Sequence, residues 1–317
     1  MSAVTEAAAP RPPGPPRRPR QTSWGLAGGP PPPPAPPARG MWADARRTLL
    51  RDPVFLLSAL AIGFLVVIAV WPGLVAHGNP YRADLMRARE GPQPGHPFGF
   101  DTQGRDVYTR TVYGARASLT VGVCATAGAA LLGGVVGGLA GFRGGWWDAV
   151  LSRVADVFFG IPVLLGGLVF LSVMAGGSVW PVVGFLVLLG WPQISRIARG
   201  AVLATARHDY VQAARALGAS GTRVLLRHIA PGALAPVIVV ATLALGTYIS
   251  LEATLSFIGV GLKPPTVSWG TDISAASTEL RDAPHMLLWP AGALSITVLA
   301  FVMLGDAVRE ALDPTLR

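Results

Sequence analysis

The sequence predicts an all-α membrane protein with six transmembrane helices, and three observations lead there. Charge is scarce: 51% of the 317 residues are hydrophobic and 14% are charged, with a mean hydropathy of +0.48, whereas soluble domains carry about 25% charged residues. The apolar residues gather into six long segments. The basic residues gather into two patches, 1–52 with eight arginines and 196–231 with six, each with a net charge of +5. A nucleic-acid-binding domain would carry a basic stripe on a polar fold. The overall charge of +9 therefore points to membrane sidedness and not to nucleic acid.

The first element, residues 1–45, is expected to be a disordered cytoplasmic tail. Pro, Ala, Gly and Arg dominate its first forty positions, including the run Pro30–Pro34. Such a segment cannot bury enough apolar surface to offset its ordering entropy. No apolar core follows its arginines until Val54, which is unlike a signal peptide. Residues 46–317 are expected to form one transmembrane domain.

Its spans are expected at about 54–76, 118–142, 149–175, 180–197, 232–258 and 285–305. The uncharged first segment is long enough, at about 1.5 Å per residue, to cross a hydrocarbon core of roughly 30 Å. The second carries Gly133, Gly137 and Gly141 and, one position on, Gly134 and Gly138. Small residues at this spacing let helix backbones approach closely in lipid. The third carries Arg153 and Asp156, three apart and able to pair on one helix face.

Loop charge sets the orientation. The two +5 patches fall on one side, against a net of +2 over residues 77–117 and −1 over 259–284. Six crossings with both termini cytoplasmic satisfy the positive-inside rule. The expected location is the cell membrane, multi-pass and in contact with lipid.

Several chemistries find no support in the sequence. Nothing matches G-x-x-x-x-G-K-[ST], and Lys263 is the only lysine, so any ATP hydrolysis belongs to another polypeptide. Cys124 is the only cysteine. His77, His96, His208, His228 and His285 are scattered, without ligand spacing. No metal, cofactor or catalytic residue is assigned.

The most informative segment is the cytoplasmic loop 198–231, and within it His208 to Pro231. Val211, Ala214 and Leu217 share a face at helical spacing. Gly218 suits a left-handed helix terminus, and Ser220 suits the cap of a second short helix. Pro231 falls where a transmembrane helix starts, since a first turn needs no donor there. The expected result is a compact helical hairpin of small residues, suited to a groove on a partner.

Gln212-Ala213-Ala214, then Gly218, then Pro231 resemble the EAA loop of ATP-binding-cassette (ABC) importer permeases. Gln212 stands where that signature has glutamate, and Ala230 where leucine is usual. The resemblance extends over nearly all of 45–315. It includes His96 to Asp106, Tyr113 to Leu119, Gly190 to Arg196, Glu252 to Gly261 and Pro264 to Gly270. Together these segments look like the C-type permease of dipeptide, oligopeptide and nickel importers. The resemblance implies a type I permease fold with a cytoplasmic coupling helix, and ATPase coupling through Tyr210, Gln212, Ala213, Ala214, Arg215, Gly218 and Pro231. It also implies a heterodimer with a B-type permease, two cytoplasmic ABC ATPases and an extracellular or periplasmic solute-binding protein. Peptide is the default substrate, with nickel or another small solute as the alternative.

Arg105, Asp106 and Glu252 are candidate gate or binding-protein contacts. For Arg105 and Asp106 a plain surface turn is the competing reading, and for Glu252 a structural bond to a neighbouring helix or to the loop 259–270. A stand-alone secondary transporter would require charged or unwound mid-membrane sites and an internal repeat, and a membrane enzyme would require convergent polar residues at one depth. Neither pattern is present in the sequence.

Overall fold

A computed structural model describes residues 41–174 and 177–312, with side chains from Ala45 onward. The expected disordered tail falls, over 1–40, outside the described residues. Its last five positions differ from expectation: α1 (Met41–Leu49) is helical from its first residue, and Ala45 is buried.

Among the described residues five helices are long and apolar enough to cross a membrane, or six if one sharply bent helix pair counts as a span, against the six expected. After α1, Asp52 caps α2 (Pro53–Val70) by accepting from the Val54 amide at 2.9 Å. The expected span to 76 stops at Val70, and Pro72–Leu74 form a short 3-10 turn instead. The second span is α3 (Val107–Arg143), 37 residues long and begun eleven residues earlier than hydropathy indicates. Its start is polar in sequence but enclosed by the loops above it, so hydropathy alone does not register it. Where the third span is expected, α4 (Gly145–Phe159) and α5 (Val163–Val173) meet at 87°, so no single straight helix crosses there. Pro162 stands at the break as the extended cap of α5, and disfavours helical geometry in the residue before it.

The fourth span, α6 (Val179–Thr205), runs eight residues past the expected limit, because Arg196 and Arg199 lower its hydropathy without interrupting the helix. After α7 (Asp209–Ala216), a single turn α8 (Gly221–Arg223), a π-helical segment (Val224–Ile229) and α9 (Ala230–Phe257) make one helical run, Gly221–Phe257. The loop expected over 198–231 thereby shrinks to the hairpin around α7. The short α10 (Trp269–Ala276) precedes the last span, α11 (His285–Leu312). Among the described residues there are no strands beyond two isolated bridges.

Close approach of α3 to α6 organises the bundle. A Cβ at Gly133 would stand 2.5 Å from the Trp191 carbonyl oxygen, one at Gly137 would overlap the Ser195 carbonyl, and one at Gly141 would stand 2.8 Å from the Arg199 carbonyl oxygen. Gly134 and Gly138, one position on, face open space. The two glycine rows are thus unlike: one is a helix–helix contact and the other is not. Around this seam Val121, Ala125, Phe185, Leu186, Ile194 and Leu255 form one apolar core. Leu65, Leu119, Ile249, Trp269 and Phe301 form a second, joining α2, α3, α9, α10 and α11. In lipid such contacts stabilise by dispersion and shape rather than by water release.

Candidate functional site

The hairpin between α6 and α9 is built from short-range bonds. His208 precedes α7 in extended geometry, with Nδ1 3.1 Å from the Thr205 carbonyl oxygen. Asp209 occupies the first turn of α7 and Arg215 the last, the arrangement that complements the helix dipole. Gly218, at φ +82°, takes the left-handed position that ends the helix. The Ala219 amide donates to the Ala214 carbonyl at 3.1 Å and the Gly218 amide to Arg215 at 3.0 Å, which together form a Schellman motif.

One side of the hairpin is anchored. Val211 is fully buried against Val202, Val224, Ile229 and Ala233. Tyr210 donates its hydroxyl to the His228 carbonyl at 3.3 Å. Gln212 donates from Nε2 to the Ala206 carbonyl at 3.0 Å, tying α7 back to the end of α6. A glutamate at this position has no donor to offer, so the departure from the EAA signature has a structural use here.

The other side is open. Ala213, Arg215, Ala216 and Gly218 are exposed, and Ala214 is half-buried. Leu217 is 88% exposed, contrary to the helical spacing that places it inward with Val211 and Ala214. The helix ends at Ala216, and Leu217 lies in the turn that follows. A large apolar side chain standing free on a rim of alanines is the one contact-ready residue that periodicity assigns to the wrong face. Ser220 holds the cap position of α8, but its side chain makes no cap bond. Pro231 does not open a new helix. It sits just after the π-helical segment, where the Ala230 amide bonds to the Leu225 carbonyl. A π segment shifts the bonding register, so the missing proline donor falls where the ladder is already changing.

Arg105, Asp106 and Glu252 lie far from this hairpin. Glu252 is 31 residues along the run from Gly221, about 45 Å of helix. Arg105 bonds to Asp101 at 2.7 Å. Asp106 caps α3 by accepting from the Thr109 amide at 2.9 Å, bonds to the Thr109 hydroxyl, and lies 3.2 Å from His96. Nearby, Arg110 pairs with Asp272, and Arg89 with Glu279 at 2.8 Å. Burial pushes the Asp272 carboxyl upward, and the Arg110 guanidinium opposes that push. Glu252 is fully enclosed and accepts from Ser118, Ser256 and Ser268. These three residues thus fasten the end of the molecule opposite the hairpin. Among the described residues no three His, Cys, Asp or Glu side chains converge as a metal site.

A family model described as "binding-protein-dependent transport system inner membrane component" matches residues 133–317, which include the hairpin. The chain is 35% identical to the glutathione transport system permease protein GsiD of Pectobacterium atrosepticum, over 88% of this chain and 93% of that protein. It is 35% identical to the oligopeptide transport system permease protein OppC of Bacillus subtilis, over 87% of this chain and 90% of that protein. In fold it is similar to a chain in a crystal structure of an amino acid ABC transporter with histidines, at a TM-score of 0.51 and 17% identity, covering 63% of this chain and 93% of that one. With its spans, its hairpin and these relatives in agreement, the chain belongs to the family of binding-protein-dependent transport system inner membrane components.

Proposed function

We propose that the chain is one transmembrane half of an ABC importer for di- and oligopeptides, coupled to separate ATPases through the hairpin 208–231. The open rim of α7 carries this reading. A helix held on one side by Val211, Tyr210 and Gln212, and bare along Ala213, Ala216 and Leu217, is a rigid ridge for a partner's groove. Arg215 adds a charge at its edge, and Gly218 and Pro231 set where the ridge ends. Peptide as substrate is supported by relatives named for glutathione and oligopeptide transport.

In this reading residues 46–317 are the permease domain and 1–45 a cytoplasmic tail, with both termini cytoplasmic. The chain pairs with a B-type permease and meets a solute-binding protein at its outer end. Arg105 and Asp106 shape that end from within their ion-pair network, and Glu252 holds the helices beneath it. The chain itself hydrolyses nothing; ATP is consumed on its partners.

Deleting 209–220 tests the coupling claim. The expected outcome is a protein that still inserts into the membrane, no longer co-purifies with its ATPase and supports no uptake. Uptake that survives the deletion overturns it.

A further inference from the structure

We infer that the charged cavity between α4 and α6 is a station for the terminal carboxylate of a passing peptide, with Arg196 as the residue that binds it. The inference rests on the peptide reading above.

The cavity measures about 300 Å³ and is lined by the polar Ser152, Asp156, Ser195, Arg196 and Arg199 together with Ala140, Leu151 and Ala155. Arg196 lies nine residues before the end of α6 at Thr205, about 14 Å along the helix axis. Near the end of a span an ionised group is best kept where it faces a partner or a water-filled space.

The two arginines of the cavity are used differently. Arg199 grips Asp148 with two nitrogens, Nη2 at 2.6 Å and Nε closer still, and so fastens α4 to α6. Arg196 makes one end-on bond, from Nη2 to Asp156 at 3.3 Å. Its guanidinium is steadied over the Phe159 ring at 4.3 Å from the centroid, and its side chain is 62% exposed. A guanidinium has five N–H donors in a planar fork, so most of those on Arg196 are unspent. Arg153, 3.9 Å from the other oxygen of Asp156, is also exposed.

Asp148 answers Arg199 and Asp156 is shared between Arg153 and Arg196, leaving one positive charge over. The chemistry that completes such a site is a second carboxylate, taken in the bidentate manner guanidinium favours. Asp156 acts as the internal ligand that holds Arg196 in place while the station is empty. The apolar groove between α3, α6 and α9, lined by Leu131, Val135, Leu226 and Ile238, offers an anionic group no charged partner.

The test uses the complete importer, with its binding protein and ATPases, in proteoliposomes. Uptake of a tripeptide with a free carboxyl terminus is compared with uptake of the same peptide amidated, each at a concentration that saturates the binding protein. Relative to wild type, Arg196→Gln is expected to lower the acid-to-amide uptake ratio about five- to tenfold, and Arg196→Lys to restore part of it. Arg153→Gln, on an exposed side chain, should shift the ratio in the same direction by less, and it decides the matter if Arg196→Gln does not assemble. Equal losses for both peptides would mean that Arg196 only fastens α4 to α6, and would overturn the proposal, as would no loss at all. A wild-type importer that carries neither peptide refutes the peptide reading itself, and the station with it.

Discussion

Ser118 on α3 donates its hydroxyl to Oε2 of Glu252 on α9 at 2.9 Å, and both residues are fully buried. Ser256 and Ser268 donate to the other oxygen at 2.8 and 3.2 Å. Three elements, α3, α9 and the segment entering α10, therefore meet on one carboxyl group. Glu252→Ala removes the acceptor shared by three hydroxyls and leaves a void, and should lower stability by about 2–5 kcal/mol. Glu252→Gln keeps the shape and one acceptor, and should cost about 1–2 kcal/mol. Denaturation of the purified protein in detergent measures both, and an alanine variant as stable as wild type would refute the clasp.

The two glycine rows of α3 make a paired prediction. Gly137→Ala pushes a methyl group into the Ser195 carbonyl, and should destabilise by about 1–3 kcal/mol. Gly138→Ala points into open space, and should stay within about 0.5 kcal/mol of wild type. Equal effects in the same assay would count against the α3–α6 seam.

Leu217 and Val211 separate docking from folding. Leu217→Ser changes a free side chain, and should weaken ATPase association about tenfold while leaving thermal stability unchanged. Val211→Ser removes the buried anchor of the hairpin, and should reduce stability as well as coupling. Pull-down of the ATPase alongside melting curves distinguishes them; a Leu217→Ser variant that binds normally removes this residue from the interface.

Gln212→Glu restores the family signature and removes the donor to Ala206. Losing that bond should cost about 1 kcal/mol locally. Amide hydrogen exchange over residues 206–212 should then quicken about fivefold. Unchanged exchange would show that the bond to Ala206 does not hold α7 in place.

Orientation is checked by reporters. A fusion near residue 90 or 272 should be extracellular, and one near 215 cytoplasmic, since the basic patches remain inside. The reverse pattern would overturn the assignment of the hairpin to the ATPase side.

The sequence by itself determined the class, because it is a sum over many residues. Scarcity of charge and six apolar runs survive errors at any single position. The hairpin was legible too, since Gly218 and the small residues before it act through local backbone geometry. Tertiary structure decided what depends on neighbours. It extended α3 back to Val107, because a polar stretch can be helical once other segments enclose it. It bent the expected third span at Pro162, and it joined α8 to α9 through a π segment that no hydropathy window registers. It also turned Leu217 outward, where a period of 3.6 residues places it inward, because periodicity holds only while the helix continues. Arg153 and Asp156 could be paired from their spacing alone. That Arg196 approaches Asp156 more closely, from forty residues away, follows only from the packing of α4 on α6.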